Sequence, residues 1–79
     1  MAQPLAFDRH RMSAFLADLD ERGLSREEIC TRMFRGPRWL DRLIEHGRMK
    51  RAVARELAIA TGTRPAELWE RIKPLEAVA

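Results

Sequence analysis

Thirteen of the fifteen cations in this 79-residue chain are arginines; Lys50 and Lys73 are the lysines. A guanidinium offers a planar fork of donors that fits phosphate oxygens and the paired acceptors of a guanine edge, which an ammonium does not. These cations are unevenly placed. Residues 1–31 carry four arginines against six acids, and residues 56–79 carry three cations against four acids. Residues 32–55 carry eight cations against only Asp41 and Glu45, a local charge of +6 in a chain of net +3. A basic middle between acidic ends is the electrostatic footprint of a nucleic-acid binder. The plainer reading of the same pattern is a basic surface without a partner.

Other chemistries find little support. Cys30 is the one cysteine, so no internal disulfide is expected and a reducing, cytoplasmic setting fits. His10 and His46 with Cys30 have no metal-ligand spacing. Neither a Gly-rich phosphate loop nor a nucleophile–base–orienter constellation can be assembled, so no catalytic residue, metal or cofactor is expected. No apolar run approaches the ~18 residues of a membrane span, and Met1–Leu5 lacks the basic and apolar regions of a signal peptide.

The elements that must carry the arginines all read as helix. Helix one covers about Asp8 to Arg22, with Met12, Phe15, Leu16 and Leu19 on one stripe, Asp8 as cap and Gly23 as stop. Ser25-Arg26-Glu27-Glu28 forms a capping box that opens helix two, which carries Ile29, Cys30 and Met33 and breaks near Arg35-Gly36-Pro37. Pro37 suits the first position of a new helix, so helix three is predicted over about Pro37–His46, with Leu40, Leu43 and Ile44 inward and Gly47 as stop. Helix four follows over about Lys50–Thr61, with Val53, Leu57 and Ala60 packing inward, and Met12, Met33 and Met49 fill gaps in the core. Helix five is capped by Thr63, has Pro65 in its first turn and Leu68, Trp69 and Ile72 on its apolar side, and ends at Pro74. No stretch alternates like a strand. The expectation is one all-α domain, a compact five-helix bundle with its core at about residues 8–74 and short frayed termini, Leu75–Ala79 included.

Helices two and three have the lengths of a helix-turn-helix, whose second helix enters the major groove. With Leu40, Leu43 and Ile44 inward, Arg38 and Arg42 face outward one turn apart, with Arg35 just before them. Arg38, Arg42 and Trp39 are therefore the candidate base contacts. Arg35, Arg48, Lys50 and Arg51 are the candidate phosphate contacts, the last three beside the amino end of helix four. Against this stand ordinary ion pairs among Arg38, Asp41, Arg42 and Glu45, and half-buried packing for Trp39. His46 falls at a helix end, where a dipole contact suffices, and Cys30 reads as a buried structural thiol. Leu68, Trp69, Ile72 and Leu75 cannot all face one interior, so part of this set is expected to form a dimer interface.

From about Phe15 to Pro74 the chain resembles the Cro/repressor type of helix-turn-helix, the xenobiotic response element family. It is most similar to antitoxins of the host-inhibition-of-growth type. The resemblance rests on Gly23-Leu24-Ser25, on Leu40 and Leu43-Ile44, on Gly47, and above all on the run from Ala52 through Ala60-Thr61-Gly62-Thr63-Arg64-Pro65 to Leu68-Trp69. It implies a lambda-repressor-like fold and double-stranded DNA as partner, bound by a homodimer on a pseudo-palindrome. The chain departs from the family at the turn. Phe34-Arg35 stands where a small and then an apolar residue are usual, and Gly36-Pro37 replaces a polar cap. These departures imply a different turn angle. The expected function is transcriptional regulation, repression above all. The rival is a small protein-interaction module, antitoxin-like or a phage-encoded inhibitor, whose basic or Trp69 face meets a toxin or other protein partner.

Overall fold

A computed structural model describes residues 3–75. The elements in chain order are β1 (Leu5–Ala6), α1 (Arg9–Glu21), α2 (Arg26–Arg32), α3 (Trp39–His46), β2 (Arg48–Met49), α4 (Arg51–Ala60) and α5 (Pro65–Ile72). α1 packs on α5 and α3, α4 packs on α5, and α2 sits against α3 and α4. None of these helices is long and apolar enough to cross a membrane. Glu76–Ala79, most of the tail expected to fray, lie outside the described residues.

Local chemistry accounts for most of the boundaries. The Asp8 carboxylate accepts from the Arg11 amide at 2.9 Å and caps α1, whose stripe Met12, Phe15, Leu16 and Leu19 is buried. Ser25 Oγ accepts from the Glu28 amide at 3.2 Å, which is half of the expected capping box. The reciprocal bond is not made; the Glu28 carboxylate lies 3.6 Å from Arg32 one turn on. The same short helix buries Ile29 and Cys30 completely, while Leu40 of α3 and Leu57 of α4 complete the centre of the core. Val53 and Ala60 only flank that core, and Ala58 is the fully buried companion of Leu57.

Three boundary expectations need correction. α3 starts at Trp39, two residues after Pro37, because the Trp39 amide donates to the Gly36 carbonyl (3.1 Å) and closes a turn ahead of the helix. The buried Cys30 thiol lies 3.9 Å from the Pro37 carbonyl and ties this turn to α2. Thr63 does not cap α5: its amide donates to the Ala58 carbonyl at 2.8 Å and finishes α4, so Arg64 takes the cap position without a side-chain bond.

The third correction is a two-stranded ribbon where only helix was expected. β1 and β2 pair antiparallel, Leu5 with Met49 and Ala6 with Arg48. Two-residue strands are too short to show a period of two, so only their packing reveals them. Phe7 is the anchor, buried to 6% exposure, with its amide donating to the Gly47 carbonyl at 3.0 Å. The next amide, that of Asp8, donates to the Ile72 carbonyl at 2.8 Å. The amino-terminal segment thus ties the α3–α4 connection to the end of α5, and the core begins before residue 8.

Candidate nucleic-acid interface

The described residues include all fifteen cations, and the cations divide into two sets. Seven have partners in their own chain. Three of these grip the carboxyl ends of helices, where the last carbonyls have no intrahelical donor. Arg9 donates to the Ile44 and Glu45 carbonyls of α3 (3.1 and 2.7 Å). Arg11 donates to the Arg71 and Glu70 carbonyls of α5 (2.9 and 2.7 Å). Arg32 donates to the Ala60 carbonyl of α4 (2.9 Å). A guanidinium there meets both the unpaired oxygens and the negative end of the helix dipole. Arg22, Arg26, Arg71 and Lys73 pair with carboxylates.

The other eight have no carboxylate within 4 Å among the described residues: Arg35, Arg38, Arg42, Arg48, Lys50, Arg51, Arg55 and Arg64. Seven of them fall between Arg35 and Arg55, within the basic stretch of the sequence. Their positions follow from how α3 is held. Leu40 is fully buried and Leu43 and Ile44 pack on the core, so Arg38, Asp41, Arg42 and Glu45 all lie on the exposed side. Arg9 holds the carboxyl end of α3, and Arg26 of α2 pairs with Asp41 at 2.8 Å near its amino end. Gly47 ends the helix with φ +75°, and a Cβ there would stand 3.2 Å from the Arg9 Nε. The ion pairs weighed against this reading, among Arg38, Asp41, Arg42 and Glu45, do not form among the described residues; Asp41, one turn from Arg38, turns to Arg26 instead.

Adjoining depressions join five of these cations into one surface. Arg38 and Arg42 line one with Asp41 and Glu45, and share a second with Arg35 and Trp39. Arg35 and Trp39 continue into a groove of about 280 Å³ lined also by Leu43, His46, Arg48 and Lys50. The Arg35 guanidinium stacks over the Trp39 ring, 5.0 Å from its centre. Trp39 packs against the core, as the alternative reading of it has it, and also lines the basic groove. Arg48 reaches this groove from β2, and Lys50 from the cap of α4, where no side chain bonds the free amides.

Not every expected residue joins this surface. Arg51 lines a separate cleft with Leu5, Ala54, Arg55, Pro65, Ala66 and Trp69. Leu68 and Ile72, expected at a dimer interface, are buried to 1% and 0% exposure in their own chain and have no area left to pair. Trp69 is half-buried, and Leu75 is exposed. Sequence reasoning missed His46 as a member of the groove. It also missed Phe34 and Ile59, the most exposed large apolar side chains of the helical body. The signal for Ile59 was legible: it adjoins Leu57 and Ala58, and three successive helical positions cannot all point inward.

The described residues contain no cluster of three metal-ligating side chains. No protein-family model, no curated protein and no solved structure matches this chain.

Proposed function

We propose that this chain is a sequence-specific binder of double-stranded DNA that acts as a transcriptional regulator, most simply a repressor that occupies a promoter. In this reading α2, the turn and α3 act as a helix-turn-helix. Arg38 and Arg42 address base edges in the major groove, with Trp39 at the margin, while Arg35, Arg48 and Lys50 hold phosphates and the free amides of α4 support them. The observation that carries the reading is the division of the cations. Seven of the eight without a carboxylate partner cluster between Arg35 and Arg55, and five of those share adjoining depressions around α3. One reading helix covers about half a site, so two copies on a pseudo-palindrome would supply affinity, with reading helices about 34 Å apart.

The test is a titration of random-sequence duplex and of DNA selected from a random pool, between about 50 and 200 mM salt. Binding to both, tighter to selected DNA, with log K falling steeply against log salt, supports the reading. Failure to bind any duplex at the lowest salt overturns it.

The Trp69 cleft supports a second reading, in which the chain is a protein-interaction module. Its apolar lining with Arg51 and Arg55 suits an apolar segment bearing carboxylates. An interface centred on that lining would tolerate salt that strips the protein from DNA.

A further inference from the structure

Phe34 combines two costs with no return inside its own chain. It lies at the residue after the α2 cap with φ +56°, among the described residues the one non-glycine with positive φ. The Arg35 amide donates to the Cys30 carbonyl (2.8 Å) and the Phe34 amide to the Thr31 carbonyl (3.1 Å), the hydrogen-bond pair of a Schellman motif. Glycine is the residue this position favours, since a Cβ is strained there. The phenyl ring is also 97% exposed. Phe34 borders the depression of Arg35, Arg38 and Arg42 on one side, and on the other a depression lined also by Arg32, Met33, Glu56, Ala60 and Ile59 of α4, which is 72% exposed.

We propose that this patch is where a second copy of the chain docks, through a two-fold axis. The inference rests on the DNA-binding reading only for its purpose, the pairing of two α3 helices. The choice of occupant follows from charge. A two-fold interface sets each residue opposite its counterpart or opposite one fixed partner, so a patch carrying both signs can complement itself. Arg32 already meets the Ala60 carbonyl and lies 3.6 Å from Glu28, but it is half exposed and its five N–H groups outnumber those contacts, while Glu56 has no cation within 4 Å among the described residues. Each Arg32 can therefore add the partner copy's Glu56 to its own-chain contacts, around a centre made of two Phe34 rings and two Ile59 side chains. The Trp69 cleft offers the opposite case. Arg51 and Arg55 flank it with no acid among its lining residues, so self-pairing there would oppose like charges.

The patch is small, so the pair is weak when free and is reinforced when two half-sites hold both copies at high effective concentration. The experiment is sedimentation of the full chain up to several hundred micromolar, with Phe34→Gly and Ile59→Glu, beside titration of each with single and paired DNA sites. Phe34→Gly should raise the unfolding midpoint, because glycine fits the left-handed backbone, yet weaken self-association at least about tenfold. A residue present for folding alone cannot give that pair of opposite effects. Ile59→Glu should also weaken pairing, and its single-site DNA binding should persist. Arg32→Glu and Glu56→Arg should each weaken pairing, and their combination should recover part of it. A wild-type chain that stays monomeric throughout, or pairing unchanged in Phe34→Gly and Ile59→Glu, overturns the proposal and leaves the DNA reading standing. Loss of single-site DNA preference in Phe34→Gly without a change in association also overturns it, and assigns the ring to DNA. Phe34-dependent pairing in a chain that binds no duplex keeps this inference and removes the DNA reading.

Discussion

The arginines of this chain that bind their own helices and those left open on its surface are chemically identical and are used in opposite ways. Arg9 and Arg11 reach across the fold to carbonyls that α3 and α5 cannot satisfy internally, and Arg32 does the same for α4. Arg35, Arg38, Arg42 and Arg48 touch no carboxylate among the described residues and line connected depressions on one surface. The first set lowers the cost of ending helices that are only 8–10 residues long. The second set raises electrostatic self-repulsion and is tolerable only where counterions, or a polyanion, surround it. Charge therefore marks function only after each cation has been asked what it already binds.

The largest expected effect attacks the outward set. Replacing Arg38 and Arg42 together by alanine should weaken binding to a selected site by about 2–6 kcal/mol, taking about 1–3 per base-contacting arginine. The unfolding midpoint should stay within a degree or two, because neither side chain meets a protein carboxylate. Equal loss on selected and random duplex, measured by anisotropy, would make both residues phosphate contacts instead.

Arg48→Ala with Lys50→Ala should weaken binding to every duplex alike and flatten the salt slope by about 2 units. Adding Arg51→Ala should change little further. The sequence places Arg51 in the same basic run, whereas the fold turns it toward Trp69. A third unit of slope lost with Arg51 would return it to the phosphate-binding set.

What the sequence conveyed, and what it did not, follows the same division. The stripes of α1 and α3, the Ser25 and Asp8 caps and the Gly47 stop are local, because each depends on residues within one turn of another. The outward position of Arg38 and Arg42 follows from the inward position of Leu40. The ribbon of Leu5–Ala6 with Arg48–Met49 depends on residues more than forty positions apart, and no periodicity records that. The Arg9 grip on α3 and the Arg26–Asp41 pair are equally non-local. Counting charges by segment set Arg26 among acidic surroundings without showing that it would engage Asp41, the acid one turn from Arg38. The premise that Leu68, Trp69, Ile72 and Leu75 cannot all face one interior is sound but does not say which turn away: Leu68 and Ile72 are buried, Trp69 is half-buried and Leu75 is exposed.

Removing an inward arginine tests the other half of the contrast. Arg9→Ala takes two charge-assisted hydrogen bonds from the carboxyl end of α3 and should cost about 1–3 kcal/mol of stability in denaturant unfolding. Arg9→Lys should recover less than half, since one ammonium cannot reproduce a fork across two carbonyls. The salt slope of DNA binding at temperatures well below unfolding should be unchanged. A flatter slope would show that Arg9 also reaches phosphate, and the two sets would no longer be separate.

The smallest effect is expected at Arg26 and Asp41, and it probes the link between the sets. Their 2.8 Å contact joins α2 to the reading helix, but the side chains are 41% and 61% exposed. Exposed pairs of this kind contribute about 0.2–1 kcal/mol, so either alanine variant should leave stability almost unchanged. The consequence for α3 differs between the two. Arg26→Ala leaves Asp41 unpaired one turn from Arg38, where it can compete with a base edge for that guanidinium. Asp41→Ala removes that competitor together with the pair. Arg26→Ala should therefore weaken binding to a selected site more than Asp41→Ala does. The double variant should resemble Asp41→Ala, giving a coupling energy in binding that exceeds the coupling in stability. Equal losses from the two single variants would mean that the pair only orients α3, and that the freedom of Arg38 does not depend on Arg26.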